Sequence, residues 1–435
     1  MKIIIKNATI VNFDSLFKGD ILIHNNHILR IGKIEEEEKV DKKIDATGKY
    51  ILPGFIDMHT HLRTPGREDE ENLLTANLRA AKGGFTTICC MPNTTPPIDN
   101  EGLAAWIRRE SQKIGMVDIY PIGAVTKKRE GKELTEFAAL QKAGCLSLSD
   151  DGDPIRDSSV LRKALEYARM FNLLIISHCE DRSLSAQGVL RESLVSSRYG
   201  LEGIPYISEA IDVFRVIEIA RYLDTRVHLA HISTKRSIEI IRQAKKEGVK
   251  VSCETAPHYF ILSVEDIERR EFDANLKVNP PLGEKEDIEE IKQALKEGVI
   301  DCIATDHAPH SFGEKELPFE EAPFGFIGLE FAFSLCYTYL VEEGVIDLKD
   351  LVSKMSVNPA KILGLDNVGY IKEGALADLV IVDLNRRWRL EKDELIPLAK
   401  NTPFIGYQLQ GKVEYTIHKG KVVYPFKNEF LNYAV

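Results

Sequence analysis

Short apolar runs alternate with amphipathic segments through the middle of this 435-residue chain. The amphipathic segments, such as residues 208–223 and 237–247, place apolar side chains at helical spacing. Strand-like runs that alternate with helices predict a parallel sheet. We count eight such runs, at residues 54–59, 85–91, 118–123, 144–150, 173–178, 226–231, 249–254 and 300–306. Eight parallel strands with helices between them predict a (β/α)8 TIM-type barrel of the α/β class.

Both ends of the chain have a different pattern, in which short strand-like runs are separated by turns. Residues 3–5, 21–23 and 28–31 form such runs near the N-terminus, and residues 374–383 and 413–424 form similar ones near the C-terminus. We therefore predict a small accessory β-sandwich domain built from both chain ends. The predicted limits are 1–52 for its N-terminal part, 53–365 for the barrel and 366–435 for its C-terminal part.

The composition narrows the expected partners and location. The chain has 57 Lys and Arg against 67 Asp and Glu, and this net charge of −10 argues against nucleic acid or an anionic membrane as a partner. The N-terminus has no signal-peptide pattern and no long apolar run occurs, so we expect a cytoplasmic protein. The seven cysteines include no C-x-x-C pair, so we expect neither disulfides nor a cysteine zinc site. A small-molecule substrate is the favoured ligand.

Histidine and aspartate residues fall at the ends of five predicted strands, which is the face where barrel enzymes build their active sites. Alternate residues of a strand point to the same side, so the two histidines of the His-Thr-His sequence can converge on one point. The residues are His59 and His61 on the first strand, Asp150 and Asp151 on the fourth, His178 on the fifth, His231 on the sixth and Asp306 on the eighth.

These imidazoles and carboxylates are ligands typical of Zn²⁺ or a similar divalent ion. One ion can be held, or two ions about 3.5 to 4 Å apart if a carboxylate bridges them. A bound ion of this kind activates water and polarises a carbonyl group, which indicates hydrolysis. Spacing alone does not decide between Asp150 and Asp151 as the bridging carboxylate.

The other histidines have less specific interpretations. We expect His24, His27 and His418 to be surface residues of the accessory domain, and His228 to be a packing residue. His258 and His307 lie near the predicted barrel mouth, and neither is assigned to metal.

Six motifs together resemble the amidohydrolase superfamily and, more narrowly, the class I dihydroorotases. The resemblance covers residues 53–365, and residues 369–383 resemble the C-terminal β segment of the family. The motifs lie at residues 59–63 (HTHLR), 83–87 (GGFTT), 91–94 (MPNT), 150–152 (DDG), 278–282 (VNPPL) and 304–310 (ATDHAPH). Two positions depart from the family pattern: Thr64 replaces a common aspartate, and Tyr259 replaces a common histidine.

The resemblance implies a set of six metal ligands. The fourth strand has no lysine, whereas hydantoinases and allantoinases usually carry one there that becomes carboxylated and bridges two metals. A group of class I dihydroorotases uses an aspartate instead, which favours Asp151 over Asp150. The implied ligands are His59, His61 and Asp306 on one metal, His178 and His231 on a second, and Asp151 on both.

The resemblance also implies the substrate contacts. Arg63, Asn93 and His310 would bind the substrate carboxylate, because a guanidinium matches the geometry of that group. Asn279 and the backbone of Phe324 and Gly325 would contact the pyrimidine ring. The competing interpretations are a surface ion pair for Arg63 and a plain turn for the Asn279 segment.

The implied activity is that of a zinc-dependent dihydroorotase. Such an enzyme interconverts L-dihydroorotate and N-carbamoyl-L-aspartate in pyrimidine (UMP) synthesis, with Asp306 acting as general base and then as general acid. A different cyclic amidohydrolase and a catalytically silent scaffold of aspartate carbamoyltransferase are the alternatives. We also expect a homodimer, and an association with aspartate carbamoyltransferase that acts on a loop at residues 151–157.

Overall fold

The structure, a computed structural model, describes residues 1–35 and 39–426, so residues 36–38 and 427–435 of the predicted accessory segments lie outside the described residues. Eight parallel strands follow each other at the positions that the apolar runs predict. In chain order they are Phe55–Thr60, Phe85–Cys90, Asp118–Pro121, Ser147–Leu148, Leu174–Ser177, Val227–Leu229, Val251–Thr255 and Cys302–Ile303. The predicted (β/α)8 barrel is confirmed.

The barrel consists of two hydrogen-bonded groups of strands that meet at two bridges. The first three strands form one parallel sheet, and the last five form another. A parallel bridge between Gly123 and Leu148 joins the third strand region to the fourth, and a parallel bridge between Thr60 and His307 joins the first to the segment after the eighth. These bridges close the ring, so the carboxyl ends of all eight strands face one opening.

Helices surround the strands, and their amphipathic pattern explains their placement. The helix Lys235–Lys246, for example, buries Ile238, Ile241 and Ala244 and leaves its charged side chains outside. The α-helices are Leu73–Gly83, Glu101–Ile114, Phe137–Lys142, Ser158–Met170, Arg182–Ser185, Leu194–Tyr199, Ile207–Leu223, Lys235–Lys246, Val264–Arg269, Lys285–Glu297, Phe312–Lys315, Ala332–Cys336, Leu348–Val352 and Asn358–Leu363. Short 3₁₀ or π turns occupy Lys127–Arg129, Pro257–Phe260, Ala274–Leu276, Tyr337–Val341, Ser353–Val357 and Lys392–Glu394. Among the described residues, no helix is long and apolar enough to cross a membrane.

The two chain ends build one accessory β domain, as the sequence predicts. Its strands hydrogen-bond into a single eight-stranded sheet, in which Tyr50–Pro53 pairs with both an N-terminal and a C-terminal strand. Isoleucines such as Ile5 and Ile23 share one apolar core with Leu379 and Ile417 from the other end of the chain. The strands are Lys2–Val11, Leu16–His24, His27–Gly32, Lys42–Asp45, Tyr50–Pro53, Leu379–Arg389, Gln408–His418 and Lys421–Tyr424.

The junction between the accessory sheet and the barrel is one residue long. Gly54 separates Tyr50–Pro53 from the first barrel strand, and a Cβ atom at this position would lie 2.3 Å from Thr86 Oγ1. A residue without a side chain is therefore needed where the two sheets meet. The junction lies next to the predicted boundary between residues 52 and 53. The exact limits of the two domains remain a prediction.

The long connection after the fifth barrel strand contains structure of its own. Two short helices lie in it, and the strands Leu190–Arg191 and Gly203–Ile204 pair with each other outside the barrel. The segment therefore forms an ordered extension beside the barrel opening.

Candidate metal centre

Six side chains that can bind a metal converge at the barrel opening. His59 and His61 come from the first strand and the residue after it, and Asp151, His178, His231 and Asp306 follow the fourth, fifth, sixth and eighth strands. The ligand atoms of five of them form two groups that share one carboxylate. The groups are His59, His61 and Asp151, and Asp151, His178 and His231, with the atoms of each group within 4.8 Å of one another.

The first group lies around the Nε2 atoms of two imidazoles. His59 Nε2 is 3.3 Å from Asp151 Oδ1 and 3.6 Å from Asp306 Oδ1. His61 Nε2 is 3.6 Å from Asp151 Oδ2 and 3.1 Å from Asp306 Oδ1. Two imidazoles and two carboxylates therefore surround one point.

The second group lies on the other side of Asp151. His178 Nδ1 is 3.6 Å and His231 Nε2 is 3.5 Å from Asp151 Oδ1. The two ring nitrogens are themselves 2.9 Å apart. The carboxylate of Asp151 thus lies between two pairs of histidines, which is the position of a ligand that bridges two ions.

The donor set fits divalent metal ions. His59 Nε2 and Asp151 Oδ1 are buried and have no hydrogen-bond partner among the described residues, although buried polar atoms are nearly always paired. A cation bound between these two atoms would give each of them a partner. Nitrogen and carboxylate oxygen are ligands that Zn²⁺ accepts in catalytic sites.

The electrostatics of the site keep its central carboxylate ionised. Burial opposes ionisation of Asp151, but the charge of His59 and contacts with His178 and His231 hold its pKa well below the usual range. Burial also opposes protonation of His178, but contacts with Asp151 and Glu180 raise its pKa to about 9. A metal ion replaces those protons as the positive charge beside Asp151.

Three residues of the site have left-handed backbone conformations. The φ angles are 58° at Arg63, 33° at His231 and 51° at Asp306. This region costs a residue other than glycine about 1 to 3 kcal/mol, and such strain concentrates at functional sites. The barrel therefore holds these three side chains in orientations that a relaxed strand would not give them.

Outer partners orient three of the four candidate histidine ligands. His59 Nδ1 is 2.9 Å from Glu254 Oε1, His61 Nδ1 is 2.8 Å from Asn93 Oδ1, and His178 Nε2 is 3.0 Å from Glu180 Oε2. Partners of this kind set which ring nitrogen faces the metal. The sequence interpretation missed Glu180 and Glu254, although Glu254 lies at the end of the seventh predicted run and Glu180 lies two residues after a proposed ligand.

The neighbouring acidic residue has a different role from Asp151. Asp150 accepts hydrogen bonds from the backbone N–H groups of Val125 and Thr126, at 2.8 and 3.1 Å, and from the Thr126 hydroxyl. Burial raises the pKa of Asp150 to about 6, although those hydrogen bonds act to lower it. Its contacts hold the loop after the third strand, and it belongs to neither histidine group.

The two histidines that the sequence left unassigned are buried near the site. His307 Nε2 is 2.6 Å from Glu71 Oε2, and its Nδ1 accepts a hydrogen bond from the N–H of Gly328 at 3.0 Å. His258 packs on the ring of Phe326, and burial lowers its pKa to about 4. Their contacts are structural, and neither belongs to the two ligand groups.

Three of the remaining histidine interpretations have clear outcomes. His24 and His27 are exposed, as predicted. The prediction for His418 is wrong, because this side chain is buried with Nδ1 3.1 Å from Asp378 Oδ1. His228 is buried as a packing residue would be, but it also contacts Ser252 Oγ at 2.8 Å and Glu254 Oε2 at 3.2 Å.

A cavity of about 230 Å³ opens above the ligand groups. All six predicted substrate-binding residues line it: Arg63, Asn93, Asn279, His310, Phe324 and Gly325. Five of the six candidate ligands line it as well, and His59 is fully buried beneath. Arg182 is a further lining residue that the sequence interpretation did not include. A Cβ atom at Gly325, where φ is +113°, would lie 2.5 Å from Ala308 Cβ, so this wall requires glycine.

Comparisons with known proteins show the family to which this chain belongs. The model of the amidohydrolase family matches residues 50–423. A dihydroorotase of Thermoanaerobacter sp. (strain X514) is 47% identical over 98% of this chain and 97% of its own length, and one of Elusimicrobium minutum is 48% identical over 97% of both. This chain belongs to the dihydroorotases of the amidohydrolase family. Among solved structures, the L-hydantoinase (dihydropyrimidinase) of Arthrobacter aurescens superposes with a TM-score of 0.86 at 26% identity, over 97% of this chain and 95% of that one.

Family membership makes the chain a metal-dependent hydrolase. The resemblance that the sequence motifs indicate is thereby confirmed, as is the barrel with its accessory β domain. The convergence of candidate ligands at the barrel opening provides a place for the metal on which the family depends.

Proposed function

We propose that this chain catalyses the reversible hydrolysis of L-dihydroorotate to N-carbamoyl-L-aspartate. The observation that carries the proposal is the pairing of an anion site with the candidate metal ligands in one small cavity. Arg63 and His310 lie on the same wall, with Arg63 Nη2 3.2 Å from His310 Nε2. A cyclic amide that carries a carboxylate has the two chemical features that this cavity can bind.

The proposed metal is zinc, as one or two ions. His59, His61 and Asp306 would hold one ion, His178 and His231 the other, and Asp151 both. A divalent ion of this type lowers the pKa of water and polarises a carbonyl oxygen.

Asp306 is the proposed proton carrier. Burial opposes its ionisation, but the hydrogen bond with His61 and the charge of His59 hold its pKa below the ordinary value, so the group is an ionised carboxylate. In hydrolysis, water adds to the ring carbonyl and Asp306 takes its proton. The amide C–N bond then breaks, and Asp306 returns the proton to the departing nitrogen. Ring closure follows the same path in reverse.

The substrate would be oriented from two sides. Arg63 and His310 would bind its carboxylate together with the amide of Asn93, whose oxygen faces His61 Nδ1 and whose nitrogen is left to donate. Asn279 and the backbone at Phe324 and Gly325 would contact the ring. These contacts would place the ring carbonyl toward the candidate metal ligands.

A hydantoinase or allantoinase function is the alternative that the fold likeness raises. The segment from the fourth strand to Gly152 has no lysine that could be carboxylated, and Asp151, which belongs to both histidine groups, would be the bridging ligand instead. Uncharged cyclic ureides also have no group for Arg63 and His310 to bind. A silent scaffold is disfavoured because all six candidate ligands are present and converge.

An activity assay on the purified protein tests the proposal. We expect turnover of dihydroorotate with zinc measured in the same sample, and little turnover of hydantoin or allantoin. Asp306→Ala should abolish turnover and still retain metal at the His178 and His231 group. Preferred turnover of hydantoin or allantoin would contradict the assignment, and near-normal turnover by Asp306→Ala would contradict the proton-carrier role.

We also propose a cytoplasmic role in pyrimidine (UMP) synthesis, a homodimer, and an association with aspartate carbamoyltransferase. Arginines tie residues 151–157 to the chain itself: Arg129 donates to the Asp151 carbonyl at 2.8 Å, and Arg215 donates to the Ile155 carbonyl at 2.7 Å. Bound aspartate carbamoyltransferase would change the conformation of residues 151–157 by altering those contacts. The association is contradicted if added carbamoyltransferase leaves the activity and the sedimentation of the isolated chain unchanged.

A further inference from the structure

The buried carboxylate of Glu70 joins the two proposed carboxylate-binding residues. Glu70 lies in the loop after the first barrel strand, and only 2% of its side chain is exposed. Its Oε2 atom is 3.1 Å from Arg63 Nε, and its Oε1 atom is 3.0 Å from His310 Nδ1. One side chain therefore contacts Arg63 with one oxygen and His310 with the other.

The contacts of Arg63 fix the orientation of its guanidinium. Its Nε atom also donates to the Pro309 carbonyl at 3.0 Å, and its left-handed backbone prevents a relaxed placement. These contacts use the Nε side of the group, and Arg63 lines the cavity. Because a guanidinium binds a carboxylate well only in a planar two-pronged geometry, the direction in which Arg63 points determines how well it can do so.

A second layer holds Glu70 from the solvent side. Arg67 Nη2 is 3.2 Å from Glu70 Oε1 and 2.8 Å from Glu314 Oε1. Glu314 in turn accepts hydrogen bonds from the N–H and hydroxyl of Ser311, at 3.0 and 2.6 Å. Glu70 is thus held between Arg63 and His310 on the cavity side and Arg67 on the solvent side. Charge neutralisation alone does not need a side chain held in this way.

We propose that Glu70 is a positioning residue that orients Arg63 and His310 for a substrate carboxylate. The inference rests on the proposed function, since it concerns the carboxylate of that substrate. Simple electrostatics predicts the opposite effect, because a negative charge beside an anion site weakens anion binding. Replacement of the Glu70 carboxyl group by an amide therefore separates the two views by the sign of the change.

The experiment compares Glu70→Gln with the wild-type chain and with Glu166→Gln as a matched control. Glu166 lies on the helix Ser158–Met170, has 43% of its side chain exposed and pairs with Arg162. For Glu70→Gln we expect KM for dihydroorotate to rise about 10- to 100-fold with kcat within about 3-fold, the effect of losing hydrogen bonds to charged groups. Glu166→Gln should leave both constants unchanged, and metal content should be unchanged in both variants. Glu70→Asp, which keeps the charge on a shorter side chain, should fall between, and it carries the test if Glu70→Gln does not fold.

Calorimetric binding of orotate, a planar analogue with the same carboxylate, gives a readout without turnover. We expect the dissociation constant of orotate to rise by a similar factor in Glu70→Gln. An unchanged or tighter orotate complex, or a lower KM, overturns the positioning role and leaves the proposed function standing. A wild-type chain that binds orotate but does not turn over dihydroorotate overturns the proposed function alone, and one that neither binds orotate nor turns over dihydroorotate overturns both.

Discussion

The imidazole of His59 and the carboxylate of Glu254 form a buried pair, with Nδ1 of the histidine 2.9 Å from Oε1 of the glutamate and at most 1% of either side chain exposed. The second oxygen of Glu254 is 3.2 Å from His228 Nε2. Burial opposes ionisation of Glu254, but its contacts with His228 and His59 lower its pKa to about 2. The carboxylate is therefore charged, and it directs Nε2 of His59 toward the cavity.

Glu254→Gln should weaken metal binding without unfolding the protein. The amide keeps the shape of the side chain but loses the charge that makes the imidazole of His59 a stronger ligand, so metal affinity should fall about 10- to 100-fold. Competition with a chelator of known affinity measures this change. Glu239→Gln, on the outer helix Lys235–Lys246 with 39% of the side chain exposed, is the control, and an unaltered affinity in Glu254→Gln would show that the pair does not orient a ligand.

Asp150→Asn and Asp151→Asn should change different properties of the protein, the first its stability and the second its metal content. Asp151 lies between both histidine groups, so Asp151→Asn should lose most of the bound metal. Asp150 holds Val125 and Thr126, so Asp150→Asn should keep the metal and lower the free energy of unfolding by about 1 to 3 kcal/mol. Elemental analysis and denaturant titration of the two variants distinguish these outcomes. Equal metal loss in both would contradict the separate roles.

Arg79→Met should destabilise the protein strongly. The guanidinium is fully buried, its Nε lies 2.7 Å from Glu71 Oε1, and it also pairs with Glu330. Removing the guanidinium takes a buried cation away from two buried carboxylates, which then keep only His307 and Lys82 as partners, at a cost of about 3 to 5 kcal/mol. Chemical denaturation measures the loss. Lys113→Met on the exposed face of a neighbouring helix should change stability by less than about 0.5 kcal/mol.

Lys315 should make stability depend on pH above neutrality. Burial lowers the pKa of its amine from the ordinary 10.5 to about 7. Between these values the unfolded chain binds more protons than the folded protein, so this group makes stability rise with pH across the window. The free energy of unfolding of the wild type, minus that of Lys315→Met, should therefore increase by about 4 kcal/mol from pH 7 to 10.5. A difference that is constant with pH would show that Lys315 keeps its proton in the folded protein.

The barrel strands were predictable because their signal is local. A short apolar run bounded by polar residues indicates a strand that is buried on both faces of its sheet. All eight runs coincide with strands of the barrel. The polar residues after those runs were predictable as a group, since the carboxyl ends of parallel strands meet at one opening. The prediction for His418 failed because its burial depends on Asp378, which lies elsewhere in the chain.

Contacts between distant residues could not be predicted in this way. His59 and Glu254 are separated by 195 positions, and Glu70 and His310 by 240. No periodicity relates residues so far apart, and each pair depends on how the closed barrel places two loops or strand ends. Glu70 in particular lies in a charged loop segment that by itself indicates only a solvated surface.

The sequence by itself determined the barrel, the accessory sheet and the metal-binding chemistry, because apolar periodicity and residue type act locally. Spacing left the choice between Asp150 and Asp151 open and the family resemblance favoured Asp151, whereas the tertiary structure shows that Asp151 faces the histidines. The tertiary structure also placed the carboxylate of Glu254 beside His59 and that of Glu70 beside Arg63. The physical reason is that adjacent side chains point in different directions, and the final direction is set by hydrogen bonds and packing across the closed barrel.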